Sequence, residues 1–164
     1  MKNSLCLIFC VVLVLCATQG RAQSTPNTLD IVGWNIEWFG ASFENPPDDN
    51  LQEQNVKKIL RYLGADLYGL TEVVDTMRLR RVVDSLGPDF RYVISPYGSN
   101  NITGTGASWL NAQKLAFVYN RTIFSNVTAR GLLRGSTGNA YYNFASWRFP
   151  FMMSADVTIN GVTR

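Results

Sequence analysis

The order of the predicted elements limits the folds open to this chain more than any other feature of its sequence. Residues 29–95 alternate between short apolar segments and two amphipathic stretches, which predicts the order β-α-β-α-β, whereas residues 114–164 predict strands without helices. Strands joined by helices form a sheet with helices on its face, and strands without helices are buried most simply against a second sheet. The sequence therefore predicts an α/β fold with a mixed sheet, helices on one of its faces, and a second sheet.

Two segments are predicted to be helices because their apolar residues recur at the spacing of one helix face, namely Leu51–Leu63 and Asp75–Leu86. The predicted strands are Leu29–Trp34, Asp66–Val73, Phe90–Ser95, Lys114–Tyr119, Ile123–Ala129, Tyr142–Arg148 and Phe151–Ile159. Long loops are uncommon and tend to be functional or disordered, and the sequence predicts one over Pro96–Asn111 and a shorter one over Gly135–Asn139.

The N-terminal residues have the three-part pattern of a secretory signal peptide. Lys2 gives a positive start, Leu5–Cys16 is an apolar run, and Gly20 and Ala22 are the small residues before a predicted cut at Gln23. The alternatives are a retained anchor, for which the run is short, and a lipoprotein cut at Cys16, which Leu15 disfavours because a small residue is expected there. The pattern predicts a signal peptide (1–22), a linker (23–28) and a domain (29–164).

Removal of this segment would leave a chain without cysteine, because Cys6, Cys10 and Cys16 all lie inside it. Disulfides, thiolate metal sites and a cysteine nucleophile are then excluded. Export without disulfides fits a secreted or periplasmic bacterial protein, with no stable membrane association after cleavage. Lys2 and Arg21 would also leave, so 13 basic residues face 12 acidic ones. This near-neutral charge gives no argument for nucleic-acid binding.

The chain contains no histidine. Serine–histidine catalysis, histidine metal sites and histidine general bases are therefore excluded within it. Carboxylates, amides, lysine, arginine and hydroxyls remain, and their oxygens are the ligands that hard cations such as Mg²⁺ and Ca²⁺ prefer.

Two polar residues stand at the ends of apolar strands. Asn35 follows the first predicted strand and Glu72 ends the second. If these strands are parallel neighbours, both side chains meet at the edge of the sheet where ligands bind in open α/β folds. Glu72 is accordingly the best candidate metal ligand, although the pattern alone also fits a carboxylate that caps a turn or pairs with an arginine.

Four other charged residues have less specific readings. Glu37 faces the same side as Asn35 by strand alternation, and we expect it to point to solvent rather than to act as an acid that supports the metal site. Asp66 begins its strand at the opposite edge and is predicted to be a turn residue. Arg148 lies in an aromatic strand, where it either pairs with a carboxylate or phosphate or packs only its stem. Lys114 is predicted to be a strand-edge charge rather than a catalytic amine.

The C-terminal residues carry a hairpin signal. Val157, Ile159 and Val162 alternate around Asn160-Gly161, the strongest short-range signal for a two-residue turn. The second strand begins just before the sequence ends, which favours a truncated chain over a complete small domain with a frayed last hairpin.

Four segments in order resemble the endonuclease/exonuclease/phosphatase family, the superfamily of deoxyribonuclease I and the apurinic endonucleases. They are IVGWNIEWFG, ADLYGLTEV, QKLAFVYN and SWRFPFMMSADV. The resemblance covers nearly all of the chain after the predicted signal peptide, but only the N-terminal half of such a domain. It implies the N-terminal portion of a four-layer α/β/β/α sandwich with two packed mixed sheets.

The resemblance also implies roles for individual residues. Asn35 matches the asparagine that helps to orient the metal-phosphate site, and Glu72 matches the glutamate that binds the divalent metal, Mg²⁺ or else Mn²⁺ or Ca²⁺. Arg148 matches an arginine that supports the active-site surface. Thr71 stands where the family usually has glutamine, but the neighbouring ligand Glu72 is kept. Gln113 stands where the nucleases have an acid that supports a catalytic histidine, so this supporting role is in doubt.

The activity implied is a secreted metal-dependent phosphodiesterase, phosphatase or nuclease, whose substrate is DNA, RNA, a phospholipid head group or a small phosphoester. The family's Asn-x-His, Gly-Asp-x-Asn and Asp-His segments do not occur in these 164 residues. The chain as given is therefore expected to be inactive. The alternative is a non-catalytic binding module, or a gene remnant, with the same fold.

Overall fold

The structure is a computed structural model that describes residues 28–44, 46–104, 106–133 and 149–164. Its elements are β1 (Ile31–Phe39), α1 (Asp49–Leu63), β2 (Leu67–Val73), α2 (Thr76–Leu86), β3 (Phe90–Gly98), α3 (Ala107–Asn111), β4 (Lys114–Asn120), β5 (Phe124–Gly131), β6 (Phe151–Ile159) and β7 (Val162–Thr163). The predicted signal peptide, the linker up to residue 27, the loop Gly135–Asn139 and the strand Tyr142–Arg148 lie outside the described residues.

Both predicted helices are present, and each begins behind an aspartate cap. Asp48 accepts hydrogen bonds from the backbone of Asn50 and Leu51, and Asp75 does the same for Met77 and Arg78. Such a side chain satisfies backbone N–H groups that have no partner in the first helical turn. The helices therefore start within two residues of the positions that the sequence predicts.

Two predicted boundaries are wrong. The first strand continues to Phe39, because its polar residues Asn35 and Glu37 lie on an exposed face and need no burial. The long loop predicted over Pro96–Asn111 is shorter than expected, since β3 runs to Gly98 and α3 occupies Ala107–Asn111.

The strands form two sheets, as predicted. The first has the order β1-β2-β4-β3, in which β1 and β2 are parallel and the other two pairings are antiparallel. The second is antiparallel, with the order β5-β6-β7. The structure thus confirms the α/β class with two sheets.

Helices α1 and α2 cover one face of the first sheet and form the main core with it. The most buried apolar residues of this core are Ile36, Phe39, Val56, Leu60, Tyr68, Leu70, Val73, Leu79, Val82, Val83, Ala116 and Val118. Burial of one such side chain stabilises the fold by about 1.5–3 kcal/mol. The Tyr68 hydroxyl is satisfied inside the core, because it donates to Leu60 O and accepts from Ala65 N.

A buried carboxylate holds the two helices together. Glu53 of α1 accepts hydrogen bonds from Lys57, Arg78 and Arg81, at distances down to 2.6 Å. The hydrogen bonds from Arg81, followed by those from Lys57, lower the pKa of Glu53 to about 2. Nothing in the sequence pattern distinguished Glu53 from the exposed acids of the chain.

The second sheet packs against the opposite face of the first through aromatic rings. Phe117 of β4 stacks on Phe151 of β6 with ring centroids 5.6 Å apart, and Tyr119 meets Phe124 edge-on at 6.3 Å. Within the described parts of the chain, the second sheet leaves the corresponding face of β1 exposed. Ile31 is 61% exposed there.

The predicted C-terminal hairpin is confirmed. Asn160 and Gly161 both have positive φ angles, 53° and 76°, as the favoured two-residue turn requires. Thr158 pairs with Thr163 across it, and Ile159 pairs with Val162. In the described portion of the chain, no helix has the length and apolar character needed to cross a membrane.

Candidate active site

Irregular pairing is concentrated at one end of the first sheet, where β1, β2 and β3 all have their carboxyl ends. Asn35 pairs with Thr71 and Phe39 pairs with Val73, so β1 advances four residues where β2 advances two. The ladders of β4 with β2 and with β3 are also irregular at this end. Bulges re-aim side chains and are frequent next to active sites. This end of the sheet is therefore the candidate site.

The bulge in β1 joins it to Glu72 in β2. The backbone N–H of Trp38 donates to Oε2 of Glu72 at 3.2 Å. Glu37, Trp38 and Glu72 have φ angles of 47°, 46° and 65°, which non-glycine residues rarely adopt. Each such residue costs about 1–3 kcal/mol, and such strain clusters at functional sites. The backbone strain thus lies at the position of the predicted metal ligand, Glu72.

Asn35 lies on the neighbouring strand, directly opposite Thr71. Its Oδ1 accepts the N–H of Glu37 at 2.9 Å, an Asx-type turn that opens the bulge. The structure therefore brings Asn35 to the same edge as Glu72, as expected from parallel neighbouring strands. Glu37 is exposed, in agreement with its predicted direction toward solvent.

Sequence reasoning missed Gln52, which fixes the same bulge from the helix side. Its Nε2 donates to Ile36 O at 2.9 Å and to Glu37 O at 2.7 Å, and its Oε1 accepts from Gly40 N at 3.0 Å. A glutamine in the first turn of an amphipathic helix carries no sequence signal of such a role.

A small cavity of about 20 Å³ adjoins Glu72. It is lined by Thr71, Glu72, Tyr97, Gly98, Gln113, Lys114, Leu115 and Phe149. Phe149 precedes the predicted Arg-x-Pro proline, and Arg148 itself lies outside the described residues. The role that the resemblance gives to Arg148 therefore stays a prediction.

The prediction that Lys114 is a charge at the strand edge is wrong. Lys114 is only 1% exposed, and its ammonium donates to Trp109 O, Leu110 O and Ala112 O. The ammonium also lies 4.6 Å from the ring centroid of Trp109. Burial lowers the pKa of Lys114 to about 8. It caps the carboxyl end of α3, because the cation and the last carbonyls of a helix attract each other.

Asp66 lies at the opposite end of the sheet, as predicted, but is more than a turn residue. It is buried, and its Oδ2 accepts the N–H of Asp30 at 2.9 Å. Asp66 therefore holds the start of β1 against β2, away from the candidate site.

A larger groove of about 360 Å³ borders the site on the side of α1. Asn35 and Glu37 form one wall of it, together with Trp34 and Ile36. The other wall is Pro46, Pro47, Asp48, Leu51, Gln52, Asn55, Val56 and Ile59. Its largely apolar lining ends at the polar edge of the sheet, which is the usual arrangement of a small-ligand site.

The polar atoms at the candidate site are of the type that a hard divalent cation prefers. The Glu72 carboxylate and the Asn35 amide both present oxygens, the atoms that such cations prefer. Within the residues that the structure describes, no group of three or more His, Cys, Asp or Glu side chains is placed to hold a metal ion. The metal-ligand role expected of Glu72 therefore stays a prediction.

Comparison with known proteins shows the fold. No family model and no curated protein matches the chain. A solved structure of D. rerio TDP2, humanized by 14 mutations, is similar with a TM-score of 0.50 at 13% identity, over 85% of this chain and 45% of that one. TDP2 of Caenorhabditis elegans gives a TM-score of 0.46 at 13% identity, over 99% and 40%. The chain thus spans less than half the length of these structures.

Proposed function

We propose that the protein containing these 164 residues is a metal-dependent phosphoric-ester hydrolase of the endonuclease/exonuclease/phosphatase family. The observation that carries the proposal is the bond from Trp38 N–H to Glu72 inside a strained, bulged strand end. This bond orients a carboxylate at the carboxyl edge of the sheet, where the resemblance puts the metal ligand. The similarity in fold to D. rerio TDP2 supports the architecture on which the proposal depends.

Glu72 would hold the cation, and Asn35 lies on the adjoining strand to orient the phosphate side of the site. When bound, a divalent cation would polarise the phosphoryl oxygen and stabilise the charge that develops during hydrolysis. Trp38 N–H keeps one carboxylate oxygen of Glu72 fixed, which lowers the reorganisation needed during reaction. The group that takes the proton from the attacking water is not a histidine of these 164 residues, because they contain none.

The proposed substrate and location follow from the resemblance and from the N-terminal pattern. The substrate is a phosphoester, with DNA, RNA, a phospholipid head group and a small ester all open. The near-neutral charge expected after signal removal argues against tight, strongly salt-dependent binding to duplex DNA. The signal-peptide pattern supports a secreted or periplasmic location.

The test is an esterase assay on the product of the whole reading frame that contains this sequence. DNA, RNA and bis(p-nitrophenyl) phosphate are each incubated with Mg²⁺, with EDTA, and with EDTA followed by excess Mg²⁺. We expect hydrolysis that EDTA abolishes and Mg²⁺ restores, and a loss of at least about 100-fold in Glu72→Gln, as for other groups that stabilise developing charge. Glu44→Gln, which changes an exposed acid, is the matched control.

Hydrolysis that survives EDTA, or that Glu72→Gln leaves unchanged, would overturn the proposal. A folded product that hydrolyses none of the three substrates, and no phospholipid head group either, would favour the non-catalytic module instead.

A further inference from the structure

The side chain of Gln52 makes all of its described hydrogen bonds to one short piece of backbone. Its side chain donates to Ile36 O and Glu37 O and accepts from Gly40 N, so both ends of its amide are used. These three partners bracket Glu37 and Trp38, the two residues of β1 with positive φ. Gln52 therefore binds the strained turn on both sides.

The turn is connected in the other direction to Glu72. Trp38 N–H points to Oε2 of Glu72, and Glu72 has a positive φ of its own. A residue in this conformation persists only where its surroundings determine it strongly. If the turn relaxed toward an ordinary strand, the Trp38 N–H would move and the carboxylate would lose a fixed donor. Gln52 is thus connected to the carboxylate through two backbone residues.

Contacts other than those of Gln52 also hold α1 in the fold. Val56 and Leu60 bury α1 in the core, Glu53 bonds it to α2, and Asp48 caps its start. Gln52 is only partly buried, and the described hydrogen bonds of its side chain all go to backbone groups of β1 and of Gly40, the residue after it. Its hydrogen bonds therefore determine the shape of the turn more than the position of the helix.

We propose that Gln52 is a positioning residue, which holds the left-handed turn at Glu37 and Trp38 so that Trp38 N–H fixes the Glu72 carboxylate for a divalent cation. The inference rests on the proposed function for the identity of the ligand, but it concerns a different residue and a different step. Residues that orient a metal ligand through hydrogen bonds typically change metal affinity 10- to 100-fold when they are replaced.

The test compares Gln52→Met with Gln54→Met on the full protein. Methionine keeps the length of glutamine but removes the three hydrogen bonds, and Gln54 is an exposed glutamine two positions along the same helix. The first readout is hydrogen exchange of the Trp38 and Gly40 amides by NMR. The second is Mn²⁺ affinity by electron paramagnetic resonance. Gln52→Ala is measured in the same way, so that an effect of the methionine side chain on packing can be recognised.

We expect Gln52→Met to exchange the Trp38 and Gly40 amides at least tenfold faster and to weaken Mn²⁺ binding about tenfold, while the melting temperature stays close to that of Gln54→Met. Unchanged exchange at Trp38 in both Gln52 variants would overturn the inference. So would a global loss of protection, which would show that Gln52 only stabilises the fold.

The two proposals fail in different ways. If Glu72→Gln binds Mn²⁺ like the original protein, the metal site of the proposed function is wrong, whatever the Gln52 variants do. If Glu72→Gln loses Mn²⁺ but the Gln52 variants keep full affinity, the proposed function stands and the positioning role of Gln52 is wrong.

Discussion

Trp38 and Glu72 lie 34 residues apart in the chain, and the backbone N–H of one donates to the carboxylate of the other at 3.2 Å. The bond crosses the only parallel strand pair found among the described residues. This hydrogen bond fixes the Glu72 carboxylate at the carboxyl end of the two strands.

Replacing Glu72 by glutamine should separate the ligand role from the structural one. The amide oxygen of glutamine can still accept the Trp38 N–H, so the free energy of unfolding should fall by no more than about 1 kcal/mol. Mn²⁺ affinity, in contrast, should fall at least tenfold, because a neutral amide replaces a charged ligand. Chemical denaturation and metal titration of the same samples measure both. A loss of several kcal/mol without a change in affinity would assign Glu72 to the fold.

Glu53 should make the protein acid-sensitive. Its pKa is about 2 in the folded protein and 4.5 without those contacts, so its stabilising effect is present above pH 4.5 and is lost as the pH falls toward 2. The contribution is on the order of 1–3 kcal/mol. Glu53→Gln should lower stability at pH 7 and flatten this part of the pH profile. The exposed pair Arg80–Asp84 provides the control, since Asp84→Asn should change stability little.

Lys114→Met should loosen α3 and the wall of the cavity beside Glu72. The three carbonyls that accept from the buried ammonium would lose their donor, at a cost of about 1–3 kcal/mol. Hydrogen exchange should rise mainly in Ala107–Asn111. Lys58→Met changes an exposed lysine on α1 and should leave exchange there unaltered. Equal effects of the two substitutions would contradict the capping role of Lys114.

Gly98 should tolerate no side chain. A Cβ at this position would lie 2.4 Å from the Cβ of Ala112, so Gly98→Ala must displace the residues around it. Overpacking of this kind costs about 1–3 kcal/mol. Gly33→Ala is the matched control, because its Cβ would meet nothing within 4 Å among the described atoms. Thermal melts of the two variants should differ clearly, and similar melts would show that β3 and α3 pack less closely.

The sequence predicted the parts of the fold that depend on periodic burial. The two helices, predicted over 51–63 and 75–86, and the terminal hairpin follow from apolar spacing or turn residues, which are visible in one short stretch of sequence. The parallel pairing that brings Asn35 near Glu72 was inferred from the β-α-β order of the elements.

The features that shape the site were not predictable in the same way. Strand alternation places Glu37 and Trp38 in regular positions, but a left-handed turn of non-glycine residues interrupts it. Gln52 and Lys114 act through backbone groups that tertiary packing brings to them, and nothing in their neighbouring residues indicates this. The role of Arg148 stays a prediction.

Mapping of bound Mn²⁺ by paramagnetic broadening of backbone amides tests the central claim most directly, namely that the edge formed by Asn35 and Glu72 is a metal site. We expect the amides of Asn35, Trp38, Thr71 and Glu72 to broaden first at low Mn²⁺, and this pattern to disappear in Glu72→Gln but persist in Glu44→Gln. Broadening centred elsewhere, or the same pattern in Glu72→Gln, would contradict the assignment.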